Sequence, residues 1–84
     1  ILKGAIVYSL GDINGYDYSG KHTPAQYGQK AKERLMYWAE NDYNDWWVTP
    51  YAVAYDHLYY LMVPTERMTV ADAIIQAVNN NYTE

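Results

Sequence analysis

Two histidines, ten acidic side chains and eleven tyrosines are the groups with which this 84-residue chain could do chemistry. His22 stands in a turn-forming stretch before Thr23-Pro24, and His57 follows Asp56 in an apolar segment. A nucleophilic triad needs a histidine held between a hydroxyl and a carboxylate. Neighbours on a helix project about 100° apart, so Asp56 cannot orient His57. Both histidines read as solvated side chains, and no catalytic residue is assigned. Asp12 with Asp17, and Asp42 with Asp45, could share acid–base work only if a cleft held each pair roughly 5–9 Å apart. A domain this small rarely encloses such a cleft, so these read as loop acids.

Metal and cofactor chemistry find little footing. Asp12-Ile13-Asn14-Gly15 resembles the opening of a calcium loop of the EF-hand or dockerin type, where alternate oxygen ligands surround the ion. The resemblance fails after four residues. Tyr16 takes the fifth position, Asp17 replaces the glycine needed at the sixth, and Thr23 stands where the closing carboxylate belongs. An ordinary turn is the simpler reading. No cysteine is present, which removes disulfides, zinc–thiolate sites and thiol catalysis. No glycine-rich phosphate loop occurs. The expectation is no metal and no cofactor.

The feature that stands out is a composition shared by two segments. Asp12, Tyr16, Asp17 and Tyr18 form one; Asp42, Tyr43, Asp45 and Trp46, followed by Trp47, form the other. Each mixes carboxylates with aromatic rings, and loops carry binding residues more often than cores do. Carboxylates would pair with arginine and lysine while ring faces take cation–π contacts. These eight residues are the candidate partner-binding set.

The elements expected to carry them follow from local pattern. Ala5–Leu10 is β-branched and apolar and reads as a strand, with Asn14-Gly15 as a hairpin or extended turn after it. Thr23-Pro24 is a helix start, with threonine as N-cap and proline at the first helical position. Tyr27, Ala31, Leu35, Trp38 and Ala39 then share one face, and Gln29, Lys30, Glu33 and Arg34 another. Thr49-Pro50 repeats the start signal, and Tyr51, Ala54, Tyr55, Leu58, Leu61 and Met62 recur at helical spacing until Pro64. The competing pattern is a β-hairpin over 51–63, turning at Asp56-His57. Thr69 to Asp72 resembles a capping box opening a last helix with Val70, Ala71, Ile74, Ile75 and Val78 as its stripe. The expected fold class is therefore α+β, a strand or β-hairpin followed by three short helices, with βαββα as the alternative, in a single domain over 1–84.

Composition narrows the function. Net charge is −4, and residues 41–56 hold three carboxylates and no lysine or arginine. An acidic chain gains little from neutralising phosphates, so direct nucleic-acid binding is disfavoured. No apolar run approaches the length of a membrane span. A soluble, cytoplasmic protein is expected; Ile1 stands where an initiator methionine would, so further N-terminal residues are expected too. Eleven tyrosines and three tryptophans with no phenylalanine exceed what one small core can use, which leaves tyrosine at the surface for recognition. The reading is a non-enzymatic protein-binding module, of the kind a small acidic inhibitor uses to block a basic, nucleic-acid-binding surface, as phage anti-defence proteins do. The alternative is a small-ligand or carbohydrate-binding module using exposed Tyr and Trp. Self-association into a homo-oligomer is a further option.

Overall fold

Thr23 and Pro24 start the helix around which the others pack. The Thr23 hydroxyl accepts the Gln26 N–H at 3.2 Å, and the Gln26 side chain accepts the Thr23 N–H at 2.9 Å, closing a capping box with Pro24 inside the first turn. The computed structural model describes residues 2–13, 22–42 and 48–82. Within them the chain is helical: α1 (Leu2–Tyr8) running on as a π-helical turn, Ser9–Ile13; α2 (Pro24–Tyr37) with a π-helical extension, Trp38–Asp42; α3 (Thr49–Leu58) ending in a 3-10 turn, Tyr59–Leu61; and α4 (Pro64–Tyr82).

This overturns the α+β expectation, since no strand or sheet occurs among the described residues. The segment expected as the N-terminal strand is α1. Alternation would have aligned Ile6, Tyr8 and Leu10 on one inward face. Instead Ile6 and Leu10 are exposed, while Ala5 and Tyr8, three apart, are buried. β-branched Ile6 and Val7 favour a strand only weakly, and packing overrode them. Asn14-Gly15, the expected hairpin turn, lies outside the described residues. The 51–63 hairpin is also excluded, because α3 and its 3-10 turn occupy it. Helical spacing prevails there: Ala54, Leu58 and Met62 are buried, and Tyr51, Tyr55 and Leu61 pack against the core.

Two helix starts differ from expectation. Thr49 is the first residue of α3, not its N-cap; Val48 holds that place without a side-chain cap. α4 begins at Pro64 rather than Thr69. Glu66 accepts the Val63 N–H at 3.0 Å, capping the first turn, and Thr69 turns its hydroxyl back to the Thr65 carbonyl at 3.0 Å. Pro64 lacks an N–H, which ends the preceding turn and suits the first position of a new helix equally well.

The core runs through α1 (Ala5, Tyr8), α2 (Ala31, Leu35, Trp38, Ala39), α3 and its turn (Ala54, Leu58, Met62) and α4 (Val70, Ala73, Ala77). Trp38 stacks on Tyr51 with ring centroids 4.2 Å apart and planes within 5° of parallel, joining α2 to α3. α1 meets α2 at two glycines. A Cβ on Gly4 would stand 2.8 Å from the Tyr27 carbonyl oxygen, and one on Gly28 would stand 2.5 Å from Tyr8 Cδ1. Each glycine therefore admits the other helix where a methyl group would not fit. Gly28→Ala tests this. Helix propensity alone favours alanine, yet the clash with Tyr8 should destabilise the fold by about 1–3 kcal/mol in urea or guanidinium unfolding. A neutral or stabilising result would mean that the two helices do not meet this closely.

Candidate functional site

The outward face of α2 and the start of α4 enclose an open groove of about 460 Å³. Gln29, Lys32, Glu33, Met36, Tyr37 and Glu40 line it from the α2 side, and Glu66 from α4. These positions follow from the helix that Thr23 starts. Residues 33, 36, 37 and 40 recur at three- and four-residue steps on the face away from Leu35 and Trp38. Tyr37 is the most prominent of them, with 63% of its surface exposed.

Electrostatics in the groove favour a cationic visitor. Lys32 Nζ lies 3.3 Å from both carboxylate oxygens of Glu66, which leaves Glu33 and Glu40 as the excess charge along the lining. Glu33 also approaches the exposed Lys30 at 3.8 Å, a pair of small energetic weight. Glu66 is held below its ordinary value of 4.5, chiefly by the Val63 N–H and further by Lys32, against a partial opposition from burial.

Of the residues singled out from sequence, Asp12 lies within the π-helical turn after α1, one residue before its end, and Asp42 is the last residue of the one after α2. Tyr16, Asp17, Tyr18, Tyr43, Asp45 and Trp46 lie outside the described residues, as does Trp47. What sequence reading missed is the groove itself. Glu33 was expected on a solvated helix face, and Glu66 falls between the expected helix end at Pro64 and the expected start at Thr69; a helix starting at Pro64 brings Glu66 to Lys32. The signal that could have found it was Pro64-Thr65-Glu66, a proline–acid first turn.

A second cluster also depends on tertiary structure. Lys3 of α1 joins Lys30 and Arg34 of α2 around a small depression floored by Gly4 and Ala31. Lys3 Nζ lies 5.9 Å from the Tyr27 ring centroid, and His22 meets the same ring edge-on at 5.8 Å. Lys30 and Arg34 were expected as an ordinary solvated face, and the addition of Lys3 makes this the basic end of α2.

The ring contacts at the end of α3 do not form a flat platform. Tyr55 and Tyr59 meet at 88°, and Tyr59 and Tyr60 at 84°, while the stacked Trp38–Tyr51 pair is turned into the core. Among the described residues no group of three His, Asp or Glu side chains is arranged to hold a metal ion, and no helix is long and apolar enough to cross a membrane. Comparison with protein-family models, with curated proteins and with solved structures finds no significant match.

The Glu66 clip has a signed pH dependence. Its folded-state pKa is depressed, so its contribution is complete above the ordinary carboxyl range and is lost as pH falls through the lower folded value. Glu66→Gln should therefore cost on the order of 1 kcal/mol at pH 7. The gap to the unmodified chain should close below pH 4.5, measured by denaturant unfolding across pH. A gap independent of pH would show that the carboxylate charge is not what Glu66 contributes.

Proposed function

We propose that this domain is a non-enzymatic protein-binding module that offers an acidic, tyrosine-bearing surface to a basic partner. Covering a nucleic-acid-binding face, as a small inhibitor does, is the use that fits best, in a cytoplasmic setting. The observation that carries the reading is the α2–α4 groove: exposed Tyr37 stands between Glu33 and Glu40, and the lysine that lines the groove is paired to Glu66. Tyrosine in such a place supplies rigid contact area and a ring face for arginine. The carboxylates supply steering and register.

Sequence continuity adds to this. Glu40 is followed within six residues by Asp42, Tyr43, Asp45 and Trp46, so the acidic–aromatic character of the groove persists along the chain. The carbohydrate-binding alternative draws less support. A sugar-stacking platform needs coplanar rings, and the Tyr55–Tyr59–Tyr60 contacts are near-perpendicular.

The test is affinity capture from the source lysate with the native domain and with a Tyr37→Ala, Glu40→Lys, Asp42→Lys variant. A basic protein should be retained by the first and lost by the second. Retention should weaken as salt rises from roughly 50 to 300 mM, because exposed charge pairs are screened over that range. Once the partner is purified, Tyr37→Ala alone should weaken binding by roughly ten-fold or more if it is a hot spot. Retention that ignores all three substitutions would remove the groove from the binding surface.

A further inference from the structure

α4 carries two apolar stripes, and the core uses one. Val70, Ala73 and Ala77 are buried, and Ile74 packs beside them. Met68, Ala71, Ile75 and Val78 follow a second line, separated by three, four and three residues and extended four residues back to the exposed Pro64. That alternation of four and three is the a/d spacing of a heptad repeat. The second stripe lies roughly 130° round the helix from the first and faces out: Met68 is 66% exposed, Ile75 57% and Val78 45%.

From this we infer that α4 is a self-association surface on which a second copy of this chain packs in parallel, α4 against α4, as a short two-stranded coiled coil. Charge selects both occupant and direction. With Met68 and Ile75 at a and Ala71 and Val78 at d, Arg67 takes a g position and Asp72 the e position of the next heptad. In a parallel pair each g residue faces the partner's e residue five positions on, so Arg67 of one copy meets Asp72 of the other, twice by symmetry. An antiparallel pair with the stripes centred would set Asp72 against Asp72 instead. β-branched Ile75 at a also suits two parallel strands.

Arg67 is already held in place. Its Nε donates to the Tyr59 carbonyl at 2.8 Å and its guanidinium carbon lies 4.0 Å from the centroid of the Tyr59 ring, which holds the side chain in place and leaves its terminal N–H groups for a carboxylate. Glu66 and the acidic groove sit on another side of α4, so the dimer leaves that surface open. This inference does not rest on the proposed function.

α4 spans roughly 28 Å, too short for a tight coiled coil, so half-association is expected at roughly 10–500 µM. Sedimentation velocity of the full chain from about 5 µM to about 1 mM should show a monomer–dimer equilibrium. Ile75→Lys, at an exposed position, should keep the helical circular dichroism and weaken the dimer at least ten-fold. Asp72→Asn gives the direction: it loosens a parallel dimer by removing the Arg67 pairs, and it would tighten an antiparallel one by removing a repulsion. The chain has no cysteine, so Val78→Cys should crosslink to itself on mild oxidation. A monomer at about 1 mM, a dimer that survives Ile75→Lys, or crosslinking only when Met68→Cys and Val78→Cys chains are mixed would each overturn the inference.

Discussion

The seating of Tyr8 on Gly28 is the contact on which the rest of the described structure depends. A Cβ at Gly28 would press to within 2.5 Å of that ring, and one at Gly4 to within 2.8 Å of the Tyr27 carbonyl. Two missing methyl groups, one on each helix, let α1 lie directly on α2. That approach buries Ala5 and Tyr8 against Ala31 and Leu35 and gives a seven-residue helix enough packing to persist. A helix so short is not stable by its own hydrogen bonds in water. The same approach carries Lys3 to Tyr27, Lys30 and Arg34, so one packing constraint also builds the basic end of α2.

The other half of the molecule is organised by α2 facing two ways. Inward, Trp38 stacks on Tyr51 and fixes α3. Its Nε1 is buried with no hydrogen-bond partner among the described residues, so ring packing is what holds it there. Outward, Lys32 pairs with Glu66 and ties α2 to the start of α4. Glu66 is both a helix cap and an ion-pair partner, which couples the position of α4 to the shape of the groove beside Tyr37. A side chain with two such duties explains why an acidic groove can exist on a domain too small to enclose a cleft.

Surface character follows from the same division. The core of the described residues contains no buried polar or charged residue and is closed by small residues, with alanine at 5, 31, 39, 54, 73 and 77. Alanines bring helices close but leave little room for large side chains. Tyrosine and the longer aliphatics are pushed outward, giving exposed Tyr37 and Tyr60 and the Met68–Val78 stripe. Exposed apolar lines of this kind are where small proteins meet other chains.

What the sequence determined alone was local. Thr23-Pro24 set the start of α2 because a capping box is closed within three residues. The inward faces of α2 and α3 were legible because Ala31, Leu35 and Trp38, and Ala54, Leu58 and Met62, recur with the helix period. Tertiary structure decided what propensity left open. Ile6 and Val7 argued for a strand, yet no partner strand exists among the described residues, and Gly4 and Gly28 offered a helix-shaped berth instead. Pro64 was legible as a break, but that it also begins α4 depends on Glu66 finding both the Val63 N–H and Lys32, a residue 34 positions away. Of the acidic–aromatic residues singled out from sequence, Asp12 and Asp42 fall in the two π-helical turns, and the groove that supports the same reading comes from Glu33, Tyr37, Glu40 and Glu66. Charge and ring content were visible along the chain; which of them share a surface was set by how α2 and α4 cross, because a helix brings together only residues within a few positions and packing joins the rest.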